Sequence, residues 1–184
     1  MREFDFCLTE EEKKYLRELA LSSIERELKS ESEKELLPPM SGKMEEKLGV
    51  FVTLKKRGQL RGCIGNMVGD GPLWRTVSSM ARAAAFEDPR FPPVSKSEFS
   101  ELEIEISILS PLEEVRDFKA IVPGKHGLLV RNAWRSGLLL PQVAAEWGWD
   151  RETFLAHTCQ KAGLPGNCWQ EAQTQVFWFQ AEVF

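Results

Sequence analysis

The chain has 184 residues, 42% of them apolar and 28% charged, which is enough for one hydrophobic core and far from disordered, collagenous or coiled-coil composition. No Pro/Gly/Ser-rich linker interrupts it, so a single domain over residues 1–184 is expected. A formal net charge of −4 argues against a general nucleic-acid or membrane-surface binder, because sequence-independent phosphate binding rests on excess lysine and arginine.

The start of the chain, Arg2-Glu3-Phe4-Asp5, lacks a basic region followed by an apolar run, and no stretch approaches the roughly 18 apolar residues of a spanning helix. A cytoplasmic protein is the expectation. Cys7, Cys63, Cys159 and Cys168 are widely spaced and form no Cys-x-x-Cys pair, so reduced thiols are expected as well.

Thr9-Glu10-Glu11-Glu12 has the form of a capping box. Tyr15, Leu16, Leu19, Ala20, Ile24 and Leu28 follow at helical spacing, which predicts a long amphipathic helix. From Ser30 to Leu48, charge mixed with Pro38, Pro39 and Gly42 leaves no periodicity and predicts an irregular, mobile surface crossing. Gly49 to Leu54 and Leu60 to Gly65, joined by Lys55-Lys56-Arg57-Gly58-Gln59, read as a β-hairpin. Pro72 opens a helix with Leu73, Val77, Met80, Ala81 and Ala84 on one stripe, ended by Asp88-Pro89-Arg90-Phe91-Pro92-Pro93. Leu102, Ile104, Ile106 and Ile108 alternate with Glu103, Glu105 and Ser107, the pattern of a strand with one buried and one wet face.

Gly127 to Val130 and Gly137 to Leu140 suggest a second hairpin, and Pro141 starts a short helix. Asp150 is the expected N-cap of a helix carrying Phe154, Leu155, Thr158, Cys159 and Ala162, with Gly163 as its left-handed end. Thr174 to Phe184 alternates as a final strand. Hairpins and late-returning strands, without regular strand-helix alternation, predict an α+β fold with an antiparallel sheet flanked by helices.

The chemistry-bearing candidates cluster on the first hairpin. If no bulge shifts the register, Arg61, Cys63 and Gly65 share one face and Leu60, Gly62 and Ile64 the other. A guanidinium beside a thiol favours thiolate, and Gly62 and Gly65 leave the backbone open to a ligand; the plainer alternative is a small apolar cysteine packed among glycines. A nucleophilic cysteine needs a base, and of the two histidines His126, ahead of an apolar strand, is the better candidate, against a strand-end hydrogen bond as its structural role. Asp88 and Arg90 are further binding candidates, and Glu103 with Glu105 could form an acid/base pair or bind a cation with Asp88, against the ordinary alternative of a solvated sheet face.

His157, Cys159 and Cys168 supply only three ligands at no common zinc spacing, so no metal or other cofactor is assigned. The cationic hairpin tip, Lys55, Lys56 and Arg57 with Arg61, could meet RNA phosphates, although hairpin turns are ordinarily polar without being sites. The six tryptophans, with Trp134, Trp147 and Trp149 close together, could form a recognition surface or simply pack.

Four motifs occur in order: Gly49-Val50-Phe51-Val52-Thr53-Leu54, Leu60-Arg61-Gly62-Cys63-Ile64-Gly65, Phe86-Glu87-Asp88-Pro89-Arg90-Phe91-Pro92-Pro93 and Gly137-Leu138-Leu139-Leu140-Pro141-Gln142-Val143-Ala144. With Lys161-Ala162-Gly163-Leu164-Pro165 and the terminal Glu182-Val183-Phe184, the chain from about Leu16 onward resembles the AMMECR family, whose prokaryotic members are also called AmmeMemoRadiSam system protein A. The resemblance implies a compact structure with a larger lobe around an antiparallel sheet and a smaller second lobe, the Leu60 to Gly65 strand lying near a cleft. It implies partners among Memo-like and radical-SAM proteins; an unknown small molecule is expected if Cys63 is reactive. Three functions stand as expectations: a binding or adaptor module first, a cysteine-dependent enzyme or redox component built on Cys63 and His126 second, and an RNA-binding module using the hairpin tip third.

Overall fold

The computed structural model describes residues 6–31 and 41–184. In chain order the elements are α1 (Glu10–Lys29), β1 (Gly49–Lys56), β2 (Gln59–Asn66), α2 (Leu73–Phe86), β3 (Leu102–Leu109), β4 (Glu113–Glu114), β5 (Gly127–Asn132), β6 (Arg135–Leu139), α3 (Pro141–Glu146), α4 (Arg151–Lys161), β7 (Gln175–Phe179) and β8 (Ala181–Val183), with short 3-10 turns between them. The class is α+β, with two four-stranded antiparallel sheets, β2-β1-β3-β8 and β4-β7-β5-β6. The chain divides into two compact units. Of the described residues, one contains those from Phe6 to Leu109 together with Glu182–Phe184, and the other contains Ser110–Ala181.

In the first unit the capping box forms as the sequence predicts. The Thr9 N–H donates to Glu12 Oε2 at 2.7 Å, and the Glu12 N–H donates to Thr9 Oγ1 at 3.2 Å. Leu16, Leu19, Ala20 and Ile24 of α1 are buried. So are Leu73, Val77, Ala81 and Ala84 of α2, and these stripes cover the sheet face that carries Val50, Val52, Leu54, Ile106 and Ile108. The β1–β2 hairpin closes on Arg57 and Gly58, at φ 52° and 73°, the double left-handed turn whose twist matches that of the strands. Gly62 shows how tightly helix and sheet meet: a Cβ there would run into the Ala84 carbonyl oxygen of α2. Phe184 exchanges two backbone hydrogen bonds with Ile106, so the C-terminus completes this sheet.

In the second unit β5 and β6 are joined through Ala133 and Trp134, and both strands run further into the polar segment than the apolar runs predict. Asp150 caps α4 by accepting the Thr153 N–H at 2.8 Å, and Gly163 is left-handed at φ 71°. Leu128, Val130, Phe154, Leu155 and Val176 form the core together with Cys159 and Cys168.

Four expectations need correction. Cys159 and Cys168 are not reduced thiols; they pair as a disulfide that ties the end of α4 to the turn nine residues later, so neither is a free zinc ligand. The C-terminal strand is two strands: a break at Gln180 sends β7 to one sheet and β8 to the other. The second half of β3 has no wet face, since Ile106, Ser107, Ile108 and Leu109 are all buried. Of the irregular segment from Ser30 to Leu48, residues 32–40 lie outside the described residues, while Gly42–Glu45 forms a 3-10 turn that buries Met44.

Candidate functional site

β2 is an edge strand, and the pairing of Thr53 with Cys63 and with Glu105 places these three side chains in one row on the sheet face opposite α1 and α2. The Cys63 sulfur is half-buried there and accepts the Thr53 hydroxyl at 3.2 Å. The main-chain groups of Cys63 belong to a different arrangement. Its N–H donates to Asp88 Oδ2 at 2.8 Å, and its carbonyl accepts Arg90 Nη2 at 3.2 Å. Asp88 and Arg90 are themselves paired twice, Nε to Oδ1 at 2.9 Å and Nη2 to Oδ2 at 2.7 Å. The rigid segment after α2 thus caps the open edge of β2 with an ion pair, blocking a further strand at that point. Asp88 is 4% exposed, and the Arg90 guanidinium, followed by the N–H groups of Cys63 and Arg90, holds its carboxyl well below the usual range.

The Arg61 guanidinium is committed to Glu98 and to the Pro92 carbonyl. The register slips between Leu54 and Lys55 so that Leu60 pairs with Lys55 and Gly62 with Leu54, leaving Arg61 as the extra residue of a bulge. Leu60 therefore leaves the face it is expected to share with Gly62 and Ile64, and is 44% exposed. The Arg61 guanidinium binds Glu98 through Nε at 3.0 Å and Nη2 at 3.2 Å, and also donates to the Pro92 carbonyl at 2.9 Å. Glu98 accepts the Ser95 N–H as well, and these partners, Arg61 foremost, bring its carboxyl down to about 2. Gly65 is no more open than Gly62, since a Cβ there would collide with the Phe51 ring. Protein already occupies the space at both glycines.

The hairpin-tip cations are matched by carboxylates: Lys55 with Glu105 at 3.0 Å, Lys56 with Glu98 and Glu101 at 3.5 Å, and Arg57 with Glu101 at 2.7 Å. A surface neutralised in this way offers little to a phosphate backbone. Glu103 and Glu105 do share a face of β3, but Glu105 belongs to Lys55 and Asp88 to Arg90. Among the described residues no group of three or more His, Cys, Asp or Glu is arranged to hold a metal ion.

His126 lies in the other unit from Cys63. It is 2% exposed, its ring is 4.8 Å from that of Trp178, and its Nδ1 accepts the Val122 N–H at 3.1 Å. The proton of the neutral ring therefore sits on Nε2, which is buried without an acceptor among the described residues. Burial, and then the Lys125 charge, push its pKa down. The Val122–His126 bond is of the strand-end kind that the sequence offers as the alternative to a catalytic role.

Two features escape a reading of the sequence. Thr53 as partner of the sulfur follows only from the hairpin register, which the bulge hides, and Glu98 as the hub for Arg61 and Lys56 has no sequence signal. The tryptophans divide clearly. Trp134, at the tip of the β5–β6 hairpin, is 83% exposed with the Arg135 guanidinium 4.7 Å from its ring, and Trp147 is 70% exposed. Trp147 stacks on Trp149 at 6.2 Å, and Trp149 stacks on His157 at 4.0 Å with an interplanar angle of 9°.

Two antiparallel sheets with an edge strand Leu-Arg-Gly-Cys-Ile-Gly capped by an Asp-Pro-Arg segment define the class of protein. The AMMECR1 family model matches residues 17–184, and the chain belongs to that family. A protein of Methanothermobacter thermautotrophicus is 42% identical over 183 residues, covering 96% of this chain and 95% of its own length. Protein PF1979 of Pyrococcus furiosus is 43% identical over 180 residues, covering 92% and 86%. The crystal structure of uncharacterized protein PH0010 from Pyrococcus horikoshii superposes with a TM-score of 0.90 at 42% identity, covering 97% of this chain and 93% of that one. No helix among the described residues is long and apolar enough to cross a membrane.

Proposed function

We propose that the chain is a binding module acting with Memo-like and radical-SAM proteins, and that it engages them through its exposed indoles. The supporting observation is that Trp134 and Trp147 leave 83% and 70% of their surface in solvent, although burying such a ring would contribute a few kcal/mol to folding. Indoles held in the open are a common anchor of protein recognition. The strand with the family motif supplies a scaffold instead: Asp88, Arg90, Arg61 and Glu98 are committed to one another and to the β2 backbone. Co-expression with a Memo-like protein followed by pull-down tests the reading. Trp134→Ala and Trp147→Ala should lose the partner while Cys63→Ser retains it; retention by both tryptophan variants with loss in Cys63→Ser would reject it.

A cysteine-dependent reading keeps one observation in its favour, a free, half-buried sulfur that accepts the Thr53 hydroxyl at 3.2 Å. Its test is the pH profile of Cys63 alkylation in wild type and Thr53→Val. A reactive thiolate slowed by the valine supports it, and an inert sulfur removes it.

A further inference from the structure

We propose that Trp147 receives a positively charged side chain, arginine or lysine, from a basic segment of a partner protein; this rests on the binding-module reading and specifies its partner chemistry. The molecule uses cations on its aromatic faces repeatedly. Arg75 lies 4.8 Å from the Trp74 ring, Arg135 4.7 Å from Trp134, Arg90 5.5 Å from Phe91, Arg131 5.5 Å from Phe177 and Arg17 5.2 Å from Phe184. Among the described residues no such cation stands over Trp147, although it is one of the two most exposed of the large apolar side chains.

Its surroundings carry the opposite charge. Glu146 precedes it at the end of α3, and Asp150 and Glu152 follow at the start of α4. Glu146 and Glu152 are exposed and take part in no ion pair among the described residues, while Asp150 is kept ionised by the Thr153 hydrogen bonds. The neighbouring cation, Arg151, donates through Nε to the Ile121 carbonyl at 3.2 Å. An electron-rich indole flanked along the chain by the carboxylates of Glu146 and Glu152 attracts a cation and repels a phosphate, while the Arg151 charge partly offsets Asp150. The backbone N–H of Trp147 donates to the Val143 carbonyl at 3.2 Å and that of Trp149 to the Ala144 carbonyl at 3.0 Å, which fixes the main chain that carries the ring, and Trp149 stacks on Trp147 at 6.2 Å and on His157 at 4.0 Å.

The test titrates the full chain with capped tetra-arginine, with tetra-citrulline as its neutral isostere and with oligouridylate, by calorimetry. Tetra-arginine should bind wild type, at least about tenfold more weakly in Trp147→Ala and several-fold more weakly in Glu146→Gln/Glu152→Gln, and tetra-citrulline should not bind. Equal binding by citrulline, binding that ignores Trp147→Ala, no binding of tetra-arginine, or oligouridylate binding that depends on Trp147 would each overturn the proposal. If the Memo-like partner still requires Trp147 in such a case, only the cation chemistry has failed; a partner indifferent to both indoles removes the binding-module reading itself.

Discussion

Glu98→Gln is the substitution whose cost the structure fixes most closely. The Glu98 carboxylate, 21% exposed, accepts two hydrogen bonds from Arg61, the Ser95 N–H at 3.1 Å and the Ser95 hydroxyl at 3.0 Å. Its pKa falls from 4.5 to about 2, and each unit is worth about 1.4 kcal/mol, so the ionised form contributes about 3 kcal/mol to folding. Because the folded value lies below the unfolded one, that contribution is fully present above the unfolded value and is lost as pH falls toward the folded one. Glutamine also leaves the Arg61 guanidinium, 11% exposed, without its counter-charge. Urea unfolding of wild type and Glu98→Gln should differ by about 3 kcal/mol near pH 7 and by less than about 1 kcal/mol near pH 2.5. A difference that is small near neutrality, or that stays the same across this range, would refute the reasoning.

Three further outcomes follow from the same geometry. Asp88→Ala leaves the Cys63 N–H without its acceptor and Arg90 without its partner; a loss of about 2–4 kcal/mol and faster exchange of the Cys63 amide are expected, and an unchanged amide would show that the edge is not capped by this ion pair. Reducing Cys159–Cys168, or replacing both by alanine, opens a closed loop of about ten residues and should lower stability by about 3 kcal/mol in chemical unfolding, whereas reductant should have no effect on the double variant. His126 is neutral in the fold with its pKa pushed down, so wild type should lose stability as pH falls from the unfolded value of about 6.5 through the folded one. His126→Leu should flatten that slope, and an unaltered slope would place the proton uptake elsewhere.

Much of the fold was legible in the sequence. The capping box at Thr9 and the apolar runs of both hairpins are local signals that tertiary structure had no reason to override, and β3 forms where its alternation predicts although its second half is buried on both faces. The parts that were not legible depend on contacts distant in sequence. The bulge at Arg61, whose guanidinium pairs with Glu98 37 residues away, breaks the simple alternation of faces and moves Leu60 off the face of Gly62. The glycines of the motif were correctly singled out as places of close approach, but what approaches Gly62 is α2 and what approaches Gly65 is Phe51. Asp88 and Arg90 were identified without the role they have, since only the sheet order makes β2 an edge in need of a cap. The disulfide was invisible because a spacing of nine residues says nothing until α4 and the following turn bring the two Cα atoms to 6.1 Å.

The most direct measurement is calorimetric titration of a Memo-like protein into wild type, Cys63→Ser and the Trp134→Ala/Trp147→Ala double variant. Binding by indoles on a scaffold requires that Cys63→Ser keep the wild-type affinity while the double variant loses at least about tenfold. Full affinity in the double variant together with its loss in Cys63→Ser would contradict it.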